Sequence, residues 1–415
     1  MTWILILLHS LLVYKSILSI PVEFSLYPYL SSQGFIPYLE LVNSNTPVLT
    51  QGPLRIPQLI ATNPDSLRIL FVIVVALTDI FLYLTLLKNK KPVPRFFLLV
   101  WVSLSLWFGI DKPTFTHFTL LCISISAYLI YTKRVISWLV LGLLSCMGLL
   151  LTPSLIVALP FLYLYLKFIP TRHYWIGFLL PLTLLVYYLQ KLNIINDFVN
   201  LVLKMNYEFF LHHTKIPTFI EATILSITLL FFWLLNHAHP QRLRIFIIAF
   251  FFGLSGAPFF EITSLLPALF ILLLLSTDSP FGYKTLTYGA FTSCILLLVF
   301  SGFSITKHKV DNPSRVSLQN TLLQQKSQFA TIIGPDSDLL AFTNKTPPGY
   351  FYLPPTENFL TNKVLLGKLL AYIQISPSSP VYFHTQVNNE AIIGYLKQTR
   401  LVTGSAGLYD IYESK

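Results

Sequence analysis

The first polar loop of this sequence contains only two glutamates. Glu23 and Glu40 are the only acidic residues between the first apolar segment and Asp65. A carboxylate that lies beside aromatic rings and a membrane surface is costly to desolvate, and desolvation raises its pKa towards values useful for a general base. We therefore interpret Glu23 and Glu40 as candidate bases for an acceptor hydroxyl. The alternative is that both are solvated loop acids.

A third acid, Asp79, lies in the middle of an apolar segment. A charged side chain at such a position costs at least about 2.5 kcal/mol on insertion, so Asp79 must face a partner or a cavity. The sequence offers Tyr83 or His117 as a partner inside a helix bundle, and catalysis is the alternative role. His9, in the first apolar segment, is interpreted as a hydrogen-bonded core residue.

The sulfur and imidazole groups give no metal-binding pattern. Cys122, Cys146 and Cys294 all fall in apolar segments, so no disulfide framework is predicted. His212 and His213 have no acid or cysteine at ligand spacing. The sequence therefore indicates no cofactor, and a divalent metal stays an open alternative.

The elements that would position these residues are transmembrane helices. Hydrophobic residues make up 54% of the 415 residues and charged residues 11%, with a mean hydropathy of +0.67. A soluble domain has about 25% charged residues, so a water-soluble fold is excluded. The apolar segments are apolar nearly all round, which favours helices over a barrel. We predict an α-helical polytopic membrane protein with about 11 transmembrane helices. Their predicted ranges are 3–20, 69–87, 96–110, 115–131, 135–151, 153–169, 174–190, 217–235, 244–256, 262–276 and 286–303.

The basic residues indicate the orientation of these helices. A net charge of +11 could suggest a nucleic-acid partner, but the excess lies in short connectors such as 88–95, 133–134 and 242–244. Short loops rich in Lys and Arg face the cytoplasm. We therefore predict no nucleic-acid partner and a multi-pass protein of the plasma (inner) membrane, with a cytoplasmic N-terminus and an extracytoplasmic C-terminus.

Two long loops fall on the extracytoplasmic side in this orientation. Loops 21–68 and 191–216 are longer than ordinary connectors, and such loops are usually functional. Residues 24–33 predict an amphipathic helix at the membrane surface. Loop 191–216 also has apolar residues at helical spacing, which predicts a helix that either caps the bundle or gates a substrate.

The chain changes composition after its last apolar segment. Residues 1–304 are predicted to form the membrane domain, and residues 305–415, rich in polar residues, a small extracytoplasmic α/β domain. The tail is predicted to contain strands at 330–333, 381–384 and 407–412 and helices at 364–375 and 388–397.

The first loop resembles that of a known family. The run from Glu23 to Glu40, with Gly34-Phe-Ile-Pro-Tyr38 before the second acid, is similar to the first extracytoplasmic loop of the C-superfamily membrane glycosyltransferases. Within that family it is most similar to the bacterial branch of the aminoarabinose and protein-mannosyl transferases. The family's base is an Asp or Glu of this loop, and Glu23 and Glu40 match. This sequence departs from the pattern in having Glu where Asp is commoner and Leu39 where a basic residue often stands.

Two later stretches extend the resemblance. Residues 256–267, which contain Glu261, resemble a late family segment, although the expected basic residue and His-Tyr pair are missing. An acid at a membrane helix end is a functional candidate, so Glu261 joins the substrate-binding candidates. Residues 345–352 resemble a proline-glycine-aromatic turn of the family's terminal domains.

The resemblance implies a reaction and its partners. The donor would be a sugar on a polyprenyl phosphate in the membrane lipid, and the transfer would invert the anomeric carbon. A departing phosphate needs positive charge, for which Arg55, Arg68 and Lys204 are the candidates. Each of these cations has an alternative role as a side chain that extends to the interface. The acceptor stays open, and the alternative functions are a transporter or flippase, or a non-catalytic assembly protein.

Overall fold

A computed structural model of the chain describes residues 24–42 of the first loop, seven apolar helices and most of the C-terminal region. The described residues are 2–17, 24–42, 64–88, 94–108, 114–130, 135–151, 170–204, 266–276, 313–353, 362–376, 378–387 and 389–414. The chain forms two compact units. The first comprises Met1–Leu18, Arg68–Tyr187 and Phe210–Lys309, and the second Ser19–Leu67, Tyr188–Phe209 and Val310–Lys415.

Apolar helices make up the described part of the first unit. They are α1 (Thr2–Ser16), α3 (Pro64–Lys88), α4 (Pro94–Trp107), α5 (Phe115–Ile130), α6 (Val135–Leu151), α7 (Arg172–Lys191) and α9 (Leu266–Ser276). These helices overlap the corresponding predicted ranges and confirm that those ranges are helical, whereas their crossing of the membrane stays a prediction. Predicted helices 153–169, 217–235, 244–256 and 286–303 lie outside the described residues, so the count of about 11 stays a prediction.

Within the described ranges, one helix alone is long and apolar enough to cross a membrane, over Asp65–Lys88. A second would be added if Arg172–Lys191 and Ile195–Lys204 form one broken span. The outward face of α3 carries apolar side chains at helical spacing. Ile69 is 50% exposed and Ile73 is 49% exposed, whereas Phe71 and Val75 are buried. An apolar face of this kind is suited to lipid, and α3 therefore has one lipid-type face and one packed face.

Helices α6 and α7 pack at unusually close range because each has a glycine at their crossing. A Cβ atom on Gly142 would lie 2.0 Å from the carbonyl oxygen of Tyr174, and one on Gly177 would lie 2.0 Å from that of Leu139. Small residues at such crossings let two helix backbones approach closely in membrane proteins. The two glycines thus set the distance between these helices.

The second unit contains a four-stranded sheet flanked by helices. Its strands are β1 (Thr331–Ile333), β2 (Val381–His384), β3 (Arg400–Ala406) and β4 (Tyr409–Ser414), in the spatial order β1-β2-β4-β3. Its helices in the tail are α10 (Pro313–Gln324), α11 (Leu339–Phe342), α12 (Lys363–Ile375) and α13 (Glu390–Thr399). Strands β1 and β2 are parallel, and the other two pairs are antiparallel.

The first loop contributes a helix, α2 (Leu26–Ser32), to the same unit. The sequence predicts this helix at the membrane surface, but Leu26 and Leu30 are fully buried against residues of the tail. The apolar face of α2 finds an apolar partner in protein, and burial of one such side chain stabilises by about 1.5–3 kcal/mol. The shared core consists of Leu26, Tyr27, Leu30, Phe35, Leu41, Leu318, Leu322, Ala330, Ile332, Leu339, Leu340, Tyr352, Tyr382, Ala406 and Tyr409.

The structure shows helix in part of loop 191–216, where the sequence predicts a helix. Helix α8 (Ile195–Phe198) runs directly into a π-helix over Val199–Lys204. Residues 205–216 of this predicted helical loop lie outside the described residues. Leu201 and Val202 are buried, whereas Leu203 and Lys204 are exposed.

Candidate functional site

The described residues include three of the six predicted site residues. Glu40 and Lys204 belong to the second unit, and Arg68 belongs to the first. Glu23, Arg55 and Glu261 lie outside the described residues.

The chain turns at the end of α2 and continues to Glu40. Gly34 has a φ of +98°, a conformation that glycine adopts without strain. The amide of Gly34 donates to the carbonyl of Ser31 (3.4 Å), and that of Phe35 donates to the carbonyl of Leu30 (3.1 Å). This pair of bonds is the Schellman arrangement, and the accompanying apolar contact is supplied by Leu30 and Phe35 in the core.

The residues after Phe35 form a tight turn that ends at Glu40. The amides of Glu40 and Leu41 both donate to the carbonyl of Ile36, at 3.0 and 3.1 Å. Tyr38, inside the turn, has a φ of +65°, and its amide donates to the carbonyl of Leu41 (2.9 Å). A non-glycine residue at positive φ is uncommon and persists only where its surroundings hold it.

The side-chain carboxylate of Glu40 also bonds to the backbone of this turn. Its Oε2 accepts a hydrogen bond from the amide of Ile36 at 2.7 Å. A bond between a charged acceptor and a backbone N–H is short and strong, so it fixes the side-chain conformation. Glu40 is half-buried, and within the described residues its Oε1 accepts no hydrogen bond. Glu40 is thus oriented but has an oxygen able to receive a proton.

Tyr38 fixes the other side of the turn. Its ring is buried and meets the ring of Phe198 edge-on, with centroids 5.3 Å apart. Burial raises the pKa of Tyr38 well above its usual value, and Tyr188 raises it further. The phenol of Tyr38 therefore stays neutral at physiological pH. Its ring packs between the turn and α8.

The tail also holds this turn, through Tyr352. The amide of Tyr352 donates to the carbonyl of Glu40 (2.8 Å), and the amide of Val42 donates to the carbonyl of Tyr352 (3.1 Å). Sequence reasoning singled out residues 345–352 only as a family-like turn and assigned no role to Tyr352. No local pattern connects residue 40 with residue 352, so only the fold reveals the contact.

The two other candidates that the structure describes are Lys204 and Arg68. Lys204 is exposed at the end of the π-helix, where an ammonium group can reach an anionic ligand. Arg68 is half-buried near the start of α3. Their phosphate-binding roles stay predictions.

Asp79 lies in a fully buried polar cluster of the first unit. Its Oδ2 is 2.7 Å from Nδ1 of His9, and its Oδ1 accepts from Nε1 of Trp101 at 2.9 Å. Nε2 of His9 is 3.1 Å from the hydroxyl of Ser105. The predicted partners, Tyr83 or His117, are wrong, because α1 and α4 bring His9 and Trp101 to this carboxylate. The interpretation of His9 as a hydrogen-bonded core residue is confirmed.

A metal centre would need several His, Cys, Asp or Glu side chains close together in the part of the chain that the structure describes. In that part, no group of three or more His, Cys, Asp or Glu side chains could hold a metal ion.

Comparison with known proteins gives the class of fold. No protein-family model and no curated protein sequence matches the chain. Among solved structures, it is similar to ArnT from Cupriavidus metallidurans bound to undecaprenyl phosphate, with a TM-score of 0.65 and 9% identity over 99% of this chain and 96% of that one. It is also similar to the arabinofuranosyltransferase AftD from Mycobacteria, with a TM-score of 0.52 and 10% identity over 100% of this chain and 40% of that one.

These likenesses establish the fold. The chain shares the fold of the ArnT and AftD structures. Its length corresponds to nearly all of ArnT and to less than half of AftD.

Proposed function

We propose that this protein is a membrane glycosyltransferase that moves a sugar from a polyprenyl-phosphate donor to an acceptor on the extracytoplasmic face. The observation that carries the proposal is the placement of Glu40, which is held by its backbone and by its side chain in a turn of the first loop. The shared fold and the undecaprenyl phosphate bound by ArnT support the lipid-linked donor.

The reaction assigns one task to each class of residue. Glu40, with Glu23 as the second candidate, takes the proton of the acceptor hydroxyl as its oxygen attacks the anomeric carbon. The bond between that carbon and the phosphate oxygen breaks, so polyprenyl phosphate leaves with the bonding electrons and the configuration inverts. Arg55, Arg68 and Lys204 would neutralise the leaving phosphate. Glu261 would contact the substrate.

The orientation is part of the proposal. A cytoplasmic N-terminus and an extracytoplasmic tail, in the plasma (inner) membrane, place the first loop and the second unit's tail on one side. A donor carried by the membrane lipid and a water-borne acceptor could meet on that side. Whether the transferred sugar is a hexose or a pentose is left open.

A donor panel tests this function. Full-length protein in liposomes is given undecaprenyl-phosphate-linked aminoarabinose, mannose or arabinofuranose, with detergent-free cell-envelope fragments as the acceptor source. Mass spectrometry should detect released undecaprenyl phosphate together with a sugar-bearing product for at least one donor. Donors that stay chemically intact but change leaflet would support a flippase, and donors that neither react nor move would contradict both activities.

A further inference from the structure

We infer that Tyr352 is a positioning residue for Glu40, so that the C-terminal region takes part in catalysis by holding the turn that bears the base. This inference rests on the proposed function. It assigns a role to a residue that contacts the candidate base through the backbone and has no predicted contact with substrate.

The backbone contact is made at Glu40 itself. Tyr352 N donates to the carbonyl of Glu40, and Tyr352 O accepts from the amide of Val42, so the two bonds bracket Leu41. Leu41 and Tyr352 form an isolated parallel bridge. Because two bonds on either side of one residue fix both the position and the direction of a strand, the Glu40 turn cannot shift without breaking them.

The side chain of Tyr352 anchors this short pairing in the core. The ring is 3% exposed and meets the ring of Tyr27 edge-on, with centroids 6.0 Å apart. Its Oη lies 2.8 Å from the hydroxyl of Ser337, in the loop between β1 and α11. Tyr27 in turn donates from its hydroxyl to the carbonyl of Val42 at 3.4 Å. The side chain of Tyr352 therefore connects the turn to α2 and to the loop after β1.

The residues before Tyr352 are themselves held against α12. Gly349 has a φ of +69°, and a Cβ there would lie 2.1 Å from the ring of Tyr372. The ring of Phe351 stacks on Tyr372, with centroids 5.1 Å apart and planes 12° from parallel. The segment that presents Tyr352 thus has a fixed path, which a positioning residue requires.

The size of the expected effect follows from the demands on a general base. A displacement of about 1 Å can lower the rate of a catalysed step by about a hundredfold. Tyr352 does not contact the donor in this account, so its loss should lower kcat and leave the donor KM nearly unchanged. A residue that merely keeps the tail folded would lower the amount of folded protein but leave kcat per folded molecule unchanged.

The test uses Tyr352→Ala and Tyr352→Phe in full-length protein, with the donor that reacts in the panel above. Tyr382→Ala and Tyr382→Phe are matched controls, because Tyr382 is a buried tyrosine of the same core whose hydroxyl bonds Gln325 instead. We expect Tyr352→Ala to lower kcat about tenfold to a hundredfold, with the donor KM within about twofold. Tyr352→Phe, which keeps the ring, should restore most of the rate.

Hydrogen exchange of residues 36–42 supplies the structural readout. Tyr352→Ala should speed exchange of these amides more than Tyr382→Ala does. If Tyr352→Ala does not fold, Tyr352→Phe should still lower kcat and speed exchange more than Tyr382→Phe. Equal effects of the two tyrosines on kcat and on exchange would overturn the inference, with the proposed function left standing. Full activity in Glu40→Gln would instead remove the proposed base.

Discussion

Arg315 and its two aspartates show how a single residue can govern the C-terminal fold. Its guanidinium donates to Asp338 at 2.8 and 2.6 Å and to Asp336 at 2.9 Å. Burial alone would lower the pKa of Arg315, but pairing with Asp338 and Asp336 raises it above its usual value. Burial raises the pKa of Asp338, and Arg315 only partly offsets that rise. The arginine therefore stays charged, and the buried carboxylate bears the cost of desolvation.

Arg315→Met should destabilise the second unit more at neutral pH than in acid. Loss of the partner leaves buried carboxylates unpaired, which costs on the order of 3 kcal/mol. Without Arg315, the pKa of Asp338 in the folded state rises further above its unfolded value, so the folded state gains relative stability as the pH falls and the carboxyl is protonated. Pulse proteolysis of the full-length protein at about pH 7.5 and about pH 5 measures the difference.

Arg400→Met is the control for this experiment. Arg400 is also buried, but it donates to the backbone carbonyls of Ile373, Ser376 and Ser379. Its loss should destabilise the unit by about 1–3 kcal/mol. None of those acceptors titrates, so the effect should be equal at the two pH values. A pH-independent effect of Arg315→Met would contradict the role given to the aspartates.

The sequence identified individual functional candidates from their immediate neighbours in the chain. Glu40 stood out because it is one of two acids in a long loop, and Asp79 because it interrupts an apolar segment. Their partners did not follow, since Ile36 is bonded through its backbone and His9 lies on another helix. Residue type and spacing thus predicted which groups matter but not which atoms they meet.

At the scale of elements, the turn after α2 depends on one glycine. Gly34 has a positive φ and open space around a substituted Cβ, so Gly34→Ala would introduce only backbone strain, about 1–2 kcal/mol. Gly367, inside α12, also has open space but lacks the positive φ. Gly367→Ala should therefore stabilise by about 0.5–1 kcal/mol. Chemical denaturation of the two variants should shift in opposite directions, and a stabilising Gly34→Ala would contradict the turn geometry.

The crossing of α6 and α7 gives a second prediction for elements. Gly142→Ala should lower the Tm of the detergent-solubilised protein, because the new methyl group would meet backbone atoms of Tyr174 that cannot move alone. Leu179→Ala on α7 is the comparison, since that side chain is 50% exposed on an apolar face. We expect a clearly smaller shift for Leu179→Ala. Equal shifts would mean that the close approach does not hold these helices together.

The sequence predicted the tail's elements unevenly, for physical reasons. Strand β2 matches its predicted range, and α12 and α13 differ from theirs by one or two residues at their ends. Strand β3 (Arg400–Ala406) was missed because it follows α13 without a turn and contains Gly404, and five of its residues are exposed. Pairing with β4 supplies the stability that its own pattern does not indicate.

For the whole molecule, the orientation in the membrane is the prediction with the widest consequence. Starting from a variant without Cys122, Cys146 and Cys294, single cysteines are introduced at Lys90 and at the exposed Leu323. In intact cells, a membrane-impermeant maleimide should label Leu323→Cys and should label Lys90→Cys only after permeabilisation. The reverse pattern would place the tail in the cytoplasm and contradict the proposed side of transfer.

The grouping of distant segments was the part of the molecule that sequence could not predict. Hydropathy separates membrane segments from the tail, but it does not reveal that α2 and residues 36–42 join the tail's core. Such contacts are made between residues about three hundred positions apart, and no periodicity reports them. The predicted division into 1–304 and 305–415 separates apolar from polar sequence. The second compact unit is instead defined by which segments pack together.

The most direct test is the rate of sugar transfer by Glu40→Gln in full-length protein, with the donor found active in the panel. Glu413→Gln, an exposed carboxylate of β4, is the matched control, and Glu23→Gln tests the second candidate. Loss of a general base lowers a rate by about a hundredfold or more, so we predict such a loss in Glu40→Gln and none in Glu413→Gln. Full activity in the Glu23→Gln, Glu40→Gln double variant, with the protein inserted normally, would contradict the account.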